Sequence, residues 1–265
     1  MRKRPIGVFD SGIGGLTVFK ALSRRMPEED LIYFGDTAHV PYGSKSKETV
    51  TRYSLEVAGF LASLRIKALV VACNTSSALA LDEVARRLKM PVLGVIKPGA
   101  QAAAAATRNG QVGIIGTEAT IASGAYTAAL RARLPRVRVR AVACPLFVPL
   151  VEAGWWGHRA TVLVARHYLA GLQRAGIDTL ILGCTHYPLL KGVIRRVVGP
   201  RVRLIDSAEQ TAIETEKLLL RLGLRRGAGR GKRRFFVSDA PRRFLKLARR
   251  LLGVRVARVE RHAFE

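Results

Sequence analysis

The sequence predicts an α/β fold made of mainly parallel sheet, and three observations predict it. Apolar runs of strand length alternate with amphipathic segments of helical period, the pattern of strands joined through helices. Most of these runs are continuously apolar, as in strands buried on both faces. A weak internal repeat divides the chain: IGVFDSG (6–12) resembles VGIIGTEAT (112–120), and ALVVACNTS (68–76) resembles TLILGCTHY (179–187).

In chain order, the expected strands are IGVF (6–9), LIYF (31–34), ALVVA (68–72), PVLGVI (91–96), VGIIG (112–116), VRAVA (139–143), TLILG (179–183) and VRLID (202–206). The first ends in a glycine-rich turn, FDSGIGG, that opens into LTVFKALSRRM with helical spacing. ETVTRYSLEVAGFLASL (48–64) and TVLVARHYLAGLQRAG (161–176) read as amphipathic helices. The tail offers FFVS, a helix over APRRFLKLARRLLG, and an edge strand over VRVARVE (254–260). RRGAGRGKRR (225–234) reads as an exposed, mobile connection.

The 265 residues suffice for one large domain or two small ones. An apolar share of 49% supplies a sizeable core. Three cysteines do not suggest a disulfide framework. The N-terminus starts like a signal peptide, but Asp10 cuts its apolar run early. No stretch approaches the roughly 18 apolar residues of a membrane span. A cytoplasmic protein with reduced thiols and no membrane partner is expected. The formal charge of +26 invites an anionic partner such as nucleic acid. No nucleic-acid motif accompanies that charge, and aromatics scarcely interleave with the basic residues. A solvated, arginine-rich surface is the favoured reading.

FDSGIGG resembles a dinucleotide loop only in part. Gly12 and Gly14 fit G-x-G-x-x-G, and Asp36 stands where a ribose ligand belongs. The third glycine position holds Thr17, Asp10 would set a carboxylate beside a pyrophosphate, and the Gly-Lys-Ser/Thr of a Walker loop is absent. Two readings remain. The glycines permit a tight turn, or the helix N-terminus offers N–H groups to a carboxylate substrate while Asp10 does chemistry.

Cys144, in VACPLF, reads as a buried small hydrophobe. Cys73 and Cys184 differ, because each ends an apolar run and precedes hydrogen-bonding residues: Asn74 and Thr75, Thr185 and His186. A helix N-terminus after such a cysteine can lower its pKa from about 8.5. His186 can exchange protons near neutral pH. Zinc is disfavoured, since there is no C-x₂-C pair. A single nucleophile, Cys184 with His186, would leave Cys73 unexplained. Asp10 precedes Cys73, and Gly116 precedes Cys184, by nearly the same interval. Two cysteines at strand ends in two similar halves could therefore face one ligand. Two thiols on opposite faces of one carbon suit racemisation, with roles that swap when the enantiomer swaps. The developing enediolate needs fixed donors and exclusion of water. Backbone N–H groups and the hydroxyls of Ser11, Ser44, Thr75, Thr117 and Thr185 are candidates for those donors.

Over almost its whole length the sequence resembles the glutamate racemases of the cofactor-independent aspartate/glutamate racemase superfamily. The resemblance rests on IGVFDSGIGGLTV, YFGDTAHVPYGSKS, ACNTSSA, GVIKPGA, GTEAT, CPLFVPLVEAG, DTLILGCTHYPLL and LIDSAEQTA. It implies that Cys73 and Cys184 are the acid/base thiols, assisted by Asp10 and His186 respectively. It implies that Asp10, Ser11, Tyr42, Gly43, Asn74, Thr75, Thr117, Thr185 and His186 bind the substrate, L- or D-glutamate, with Glu152 behind His186. Asp36 and Pro41 are read as structural. Two pseudo-symmetric α/β domains are implied, 1–97 plus 208–265 and 98–207, with the active site in the cleft between them. A homodimer, no pyridoxal phosphate, no metal and a role in supplying D-glutamate for peptidoglycan are implied too. Aspartate is the rival substrate, because one methylene is worth only about 1–3 kcal/mol in a pocket.

Overall fold

The structure is a computed structural model that describes all residues except 254, 255, 257 and 265. Its strands are β1 (Ile6–Asp10), β2 (Leu31–Gly35), β3 (Ala68–Val71), β4 (Val92–Gly94), β5 (Gln111–Gly116), β6 (Arg138–Ala143), β7 (Thr179–Gly183), β8 (Arg203–Ile205), β9 (Arg233–Val237) and β10 (Glu260–Arg261). They form a six-stranded sheet, β10-β9-β2-β1-β3-β4, and a four-stranded sheet, β6-β5-β7-β8. Every pairing is parallel.

The weak repeat in sequence is a repeat in topology. The run β2-β1-β3-β4 has the same order as β6-β5-β7-β8. In each sheet the strand order reverses once, between β1 and β3 and between β5 and β7. The carboxyl ends of strands at such a switch point form a natural crevice. The register sets those ends level: Phe9 lies beside Val71, and Gly116 beside Gly183. Ser11 and Cys73 therefore emerge together from one sheet, Thr117 and Cys184 from the other.

Apolar residues of both sheets pack against helices. Helix Leu16–Arg25 buries Leu16, Phe19 and Leu22 against Tyr33 and Val70, and helix Lys47–Ser63 covers the opposite face with Val57 and Leu61. Helices Arg159–Arg174 and Ile96–Ala106 do the same for the second sheet through Leu169, Leu172, Ala100 and Ala103. No helix among the described residues is long and apolar enough to cross a membrane.

Several elements differ from expectation. The strand expected over 91–96 stops at Gly94, because Val95 and Ile96 turn into a helix. The strand expected over 202–206 stops at Ile205, and Asp206 Oδ1 accepts from Ala208 N at 3.1 Å. β6 is an edge strand with exposed Arg138 and Arg140, side chains that discourage pairing with another chain. The edge strand expected over 254–260 lies partly outside the described residues, and the described strand is Glu260–Arg261.

Segment 225–234 is tied down, contrary to its reading as a mobile connection. Arg225 pairs with Glu28 at 3.1 Å and Glu216 at 3.6 Å. Arg226 N donates to Glu29 Oε1 at 2.8 Å, and Lys232 N donates to Asp30 Oδ1 at 2.6 Å. Glu29 is fully buried and paired with Lys67 at 2.5 Å. The acidic run that holds this basic segment lies 197 and 202 positions upstream, out of reach of any local reading. Arg233 and Arg234 already belong to β9.

Candidate active site

The two switch points face one another across a single small cavity. Its wall comprises Ser11, Val40, Pro41, Tyr42, Gly43, Cys73, Asn74, Thr75, Thr117, Val148, Cys184, Thr185 and His186. Both cysteines and most of the sequence-derived binding residues thus meet at one place. Asp10 and Glu152 lie one layer behind this wall. Ser44, a candidate hydroxyl, is exposed and lines none of it. The cavity is about 10 Å³, room for about one water.

Close approach of the two halves depends on glycine at two points. A Cβ on Gly14 would collide with Thr185 Oγ1 and come within 2.8 Å of His186 Nδ1. A Cβ on Gly43 would collide with the Thr117 side chain. The FDSGIGG loop is therefore glycine-rich in part because the CTH turn of the other half packs onto it.

On the first side, Cys73 caps the helix Asn74–Leu79. Its Sγ accepts from Ser76 N at 3.5 Å and lies 3.6 Å from Ser11 Oγ. Burial pushes the thiol up to about 11, and the Asp10 charge adds to this, while hydrogen bonds with Ser76 and Ser11 oppose it. The lowering expected from a helix N-terminus is thus overcome by desolvation. The fully buried Asp10 accepts from Gly12 N at 3.0 Å and from Thr185 Oγ1 at 3.1 Å. Burial raises its carboxyl pKa, against the His186 charge and these hydrogen bonds. Its hydrogen bonds go elsewhere than Cys73, so it acts on that thiol through charge.

On the second side, Cys184 Sγ lies 3.8 Å from His186 Nδ1, and His186 Nε2 lies 2.9 Å from Glu152 Oε1. Burial alone would lower the imidazole pKa, but the Cys184 and Glu152 partners overcome it and push it up to about 10. For Glu152 burial again opposes, yet His186, with Arg243 beside it, holds the carboxyl below its usual range. Arg243, on the helix Pro241–Leu252, reaches Glu152 Oε2 at 3.5 Å. A carboxylate, an imidazolium and a sulfur thus stand in a row. Cys144 is fully buried outside the cavity, its thiol pushed up by burial.

Hydroxyls crowd the rest of the wall. Thr75, Thr117 and Thr120 form a triangle of Oγ1 contacts at 3.0, 3.2 and 2.9 Å. Thr120 is buried and does not itself line the cavity; its place three residues after Thr117 at a helix start puts both on one face. Tyr42 was expected to bind substrate, but its hydroxyl is committed to Asp36 Oδ2 at 2.5 Å, which leaves its ring and backbone to shape the pocket. Asp36 also accepts from Ser238 Oγ at 2.6 Å. Asn74 Oδ1 accepts from Tyr126 OH at 2.7 Å, and its Nδ2 has no partner among the described residues. Nothing in the sequence pointed to Tyr126. Among the described residues, no group of three or more His, Cys, Asp or Glu side chains is arranged to hold a metal ion.

Known proteins share this architecture. The chain is 54% identical over 264 residues to the glutamate racemase of Geobacter metallireducens, covering 99% of this chain and 97% of that protein. The crystal structure of glutamate racemase from Thermus thermophilus in complex with beta-chloro-D-alanine is 50% identical. It superposes with a TM-score of 0.89 over 99% of this chain and 98% of the other. The Francisella tularensis glutamate racemase in complex with D-glutamate is 39% identical, with a TM-score of 0.93 and 99% and 98% coverage. The family profile of the Asp/Glu/hydantoin racemases matches residues 6–215, a span that begins at β1 and contains both cysteine-bearing strand ends, so the chain belongs to that family.

Proposed function

We propose that the chain is a cofactor-independent amino-acid racemase that interconverts L- and D-glutamate, with Cys73 and Cys184 as the two acid/base groups. One observation carries this reading: two cysteine side chains, one from each half, line the same small, hydroxyl-rich cavity. In each turnover one thiolate takes the α-proton. Its S–H bond forms as the C–H bond breaks, and the electron pair passes into the carboxylate as an enediolate. The other thiol delivers a proton to the opposite face and is left as a thiolate. The next turnover in the reverse direction starts from that state.

The two sides divide the work unequally. The raised Cys73 thiol suits the proton donor. His186, charged at neutral pH and held by Glu152, sets a cation beside the Cys184 sulfur, as a thiolate base requires. L-Glutamate then loses its proton to Cys184 and is reprotonated from Cys73. Asp10 acts on Cys73 by charge. Ser11, Gly43, Asn74, Thr75, Thr117, Thr185 and His186 hold the substrate, Tyr42 shapes the wall, and Glu152 orients His186. Fixed N–H and O–H donors around the carboxylate stabilise the enediolate in a water-poor site.

The product would supply D-glutamate for peptidoglycan, and the setting would be cytoplasmic. We divide the chain into 1–97 plus 208–265 and 98–207, in keeping with the two sheets. We infer a homodimer from the family resemblance, to be checked by sedimentation; a binding role for the +26 surface is not favoured. The decisive experiment is turnover in D₂O. Wild type should place deuterium at the α-position of both products. Cys73→Ser should lower racemisation in both directions by roughly 10²–10⁴-fold. Unimpaired racemisation by that variant would eliminate the two-base scheme.

A further inference from the structure

We propose that Tyr126 is a positioning residue for the substrate: its hydroxyl fixes the Asn74 side-chain amide so that the NH₂ group, not the oxygen, faces the carboxylate. The inference rests on the glutamate reading above.

The geometry is specific. Asn74 follows Cys73 directly and is buried. Its Oδ1 accepts from Tyr126 OH at 2.7 Å. Its Nδ2 is buried and has no partner among the described residues, although the residue lines the cavity between the cysteines. A buried amide donor left unpaired costs free energy, and an incoming carboxylate can satisfy it. Were the amide turned over, Oδ1 would face that carboxylate and repel it. The two ends of an amide are nearly equal in shape, so only a hydrogen-bond partner decides which points inward. Tyr126 is that partner. Burial pushes its phenol above the usual range, so the hydroxyl keeps its proton and donates.

Tyr126 is itself held firmly. It sits on the helix Ala125–Arg131, after β5 of the second sheet, and is buried. A Cβ on either Gly99 or Gly183 would come within 3.1 Å of its ring, so both backbones lie close against it. Asn74 follows β3 of the first sheet. The hydrogen bond therefore runs from one half of the molecule to the other and sets the amide when the halves are together.

A double-mutant cycle on glutamate kcat/KM tests this, with unfolding midpoints measured alongside. Tyr126→Phe keeps the packed ring and removes only the hydroxyl. It should raise KM about tenfold, with a smaller change in kcat, because one charge-assisted hydrogen bond to the carboxylate is worth about that factor. Asn74→Ala should lose a similar factor. The double variant should lose no more than Asn74→Ala alone, since Tyr126 acts only through the amide. Asn74→Asp gives a second arm: it keeps an acceptor for Tyr126 and removes the inward donor, so it should raise KM at least tenfold with an unchanged unfolding midpoint. Multiplied losses in the double variant, or a normal KM for Asn74→Asp, would overturn the proposal while an active wild type leaves the reaction reading intact. An inactive wild type would overturn both.

Discussion

The two cysteine-bearing strand ends are alike in topology and unlike in chemistry. β3 and β7 hold equivalent places in their sheets, each beside the strand that carries the other half of the repeat. Yet Cys73 has neutral partners, accepting from Ser76 N–H and donating to the Ser11 hydroxyl, with the carboxyl of Asp10 nearby. Cys184 instead adjoins an imidazole backed by a carboxylate and, beyond it, an arginine. Duplicated backbone does not bring duplicated electrostatics. A symmetric site would leave both thiols equally protonated, whereas a racemase must start each turnover with one proton on the pair.

The strongest challenge to this contrast is paired replacement of the thiols. Cys73→Ser and Cys184→Ser should each lower racemisation by roughly 10²–10⁴-fold, the usual worth of a positioned acid or base. Each variant should still exchange the α-proton of one enantiomer with solvent, and the enantiomer should differ between them. Exchange of the same enantiomer by both would refute the assignment of opposite faces.

Glu152→Gln probes the charged side alone. With the carboxylate gone, His186 should lose its proton at lower pH, and kcat from L-glutamate should fall about tenfold, the worth of one charge-assisted hydrogen bond. The alkaline limb of the pH profile should move to lower pH. A limb that stays in place would mean that His186 is held by something else.

Stability should carry the same signature. The imidazole pKa is about 10 in the folded protein against 6.5 in the unfolded chain. The folded state therefore binds the proton more tightly. That contribution is complete below pH 6.5 and is lost progressively as pH rises from there through about 10. Wild type should lose more stability over this window than His186→Asn, compared by denaturant unfolding. Parallel curves would remove the charged imidazole from the account.

Arg243→Ala should have the smallest effect. The side chain is 64% exposed and its contact with Glu152 is 3.5 Å, the class of pair worth about 0–1 kcal/mol. A change of about twofold or less in kcat/KM, erased by added salt, would show how far the charged row extends.

Much of this was legible because it is local. Continuous apolar runs gave most of the strands, and repeated segments gave the paired topology. The motifs around Cys73 and Cys184 pointed to the residues that now share a cavity. Errors arose where distant segments decide the outcome. RRGAGRGKRR looked unrestrained because its acidic partners, Glu28, Glu29 and Asp30, lie far upstream. The burial of Cys73, which outweighs its place at a helix start, cannot be read from sequence.

The sequence by itself determined the α/β class, the duplication, and the pair of thiols with their neighbouring hydroxyls and histidine. These follow from periodicity and from the residue types that proton transfer demands. Tertiary structure alone decided that burial raises the Cys73 thiol, that the cation stands beside Cys184, and that Tyr126 meets Asn74 across the two halves. Those properties depend on burial and on partners from the other half of the chain, and electrostatic interactions strengthen as water is excluded.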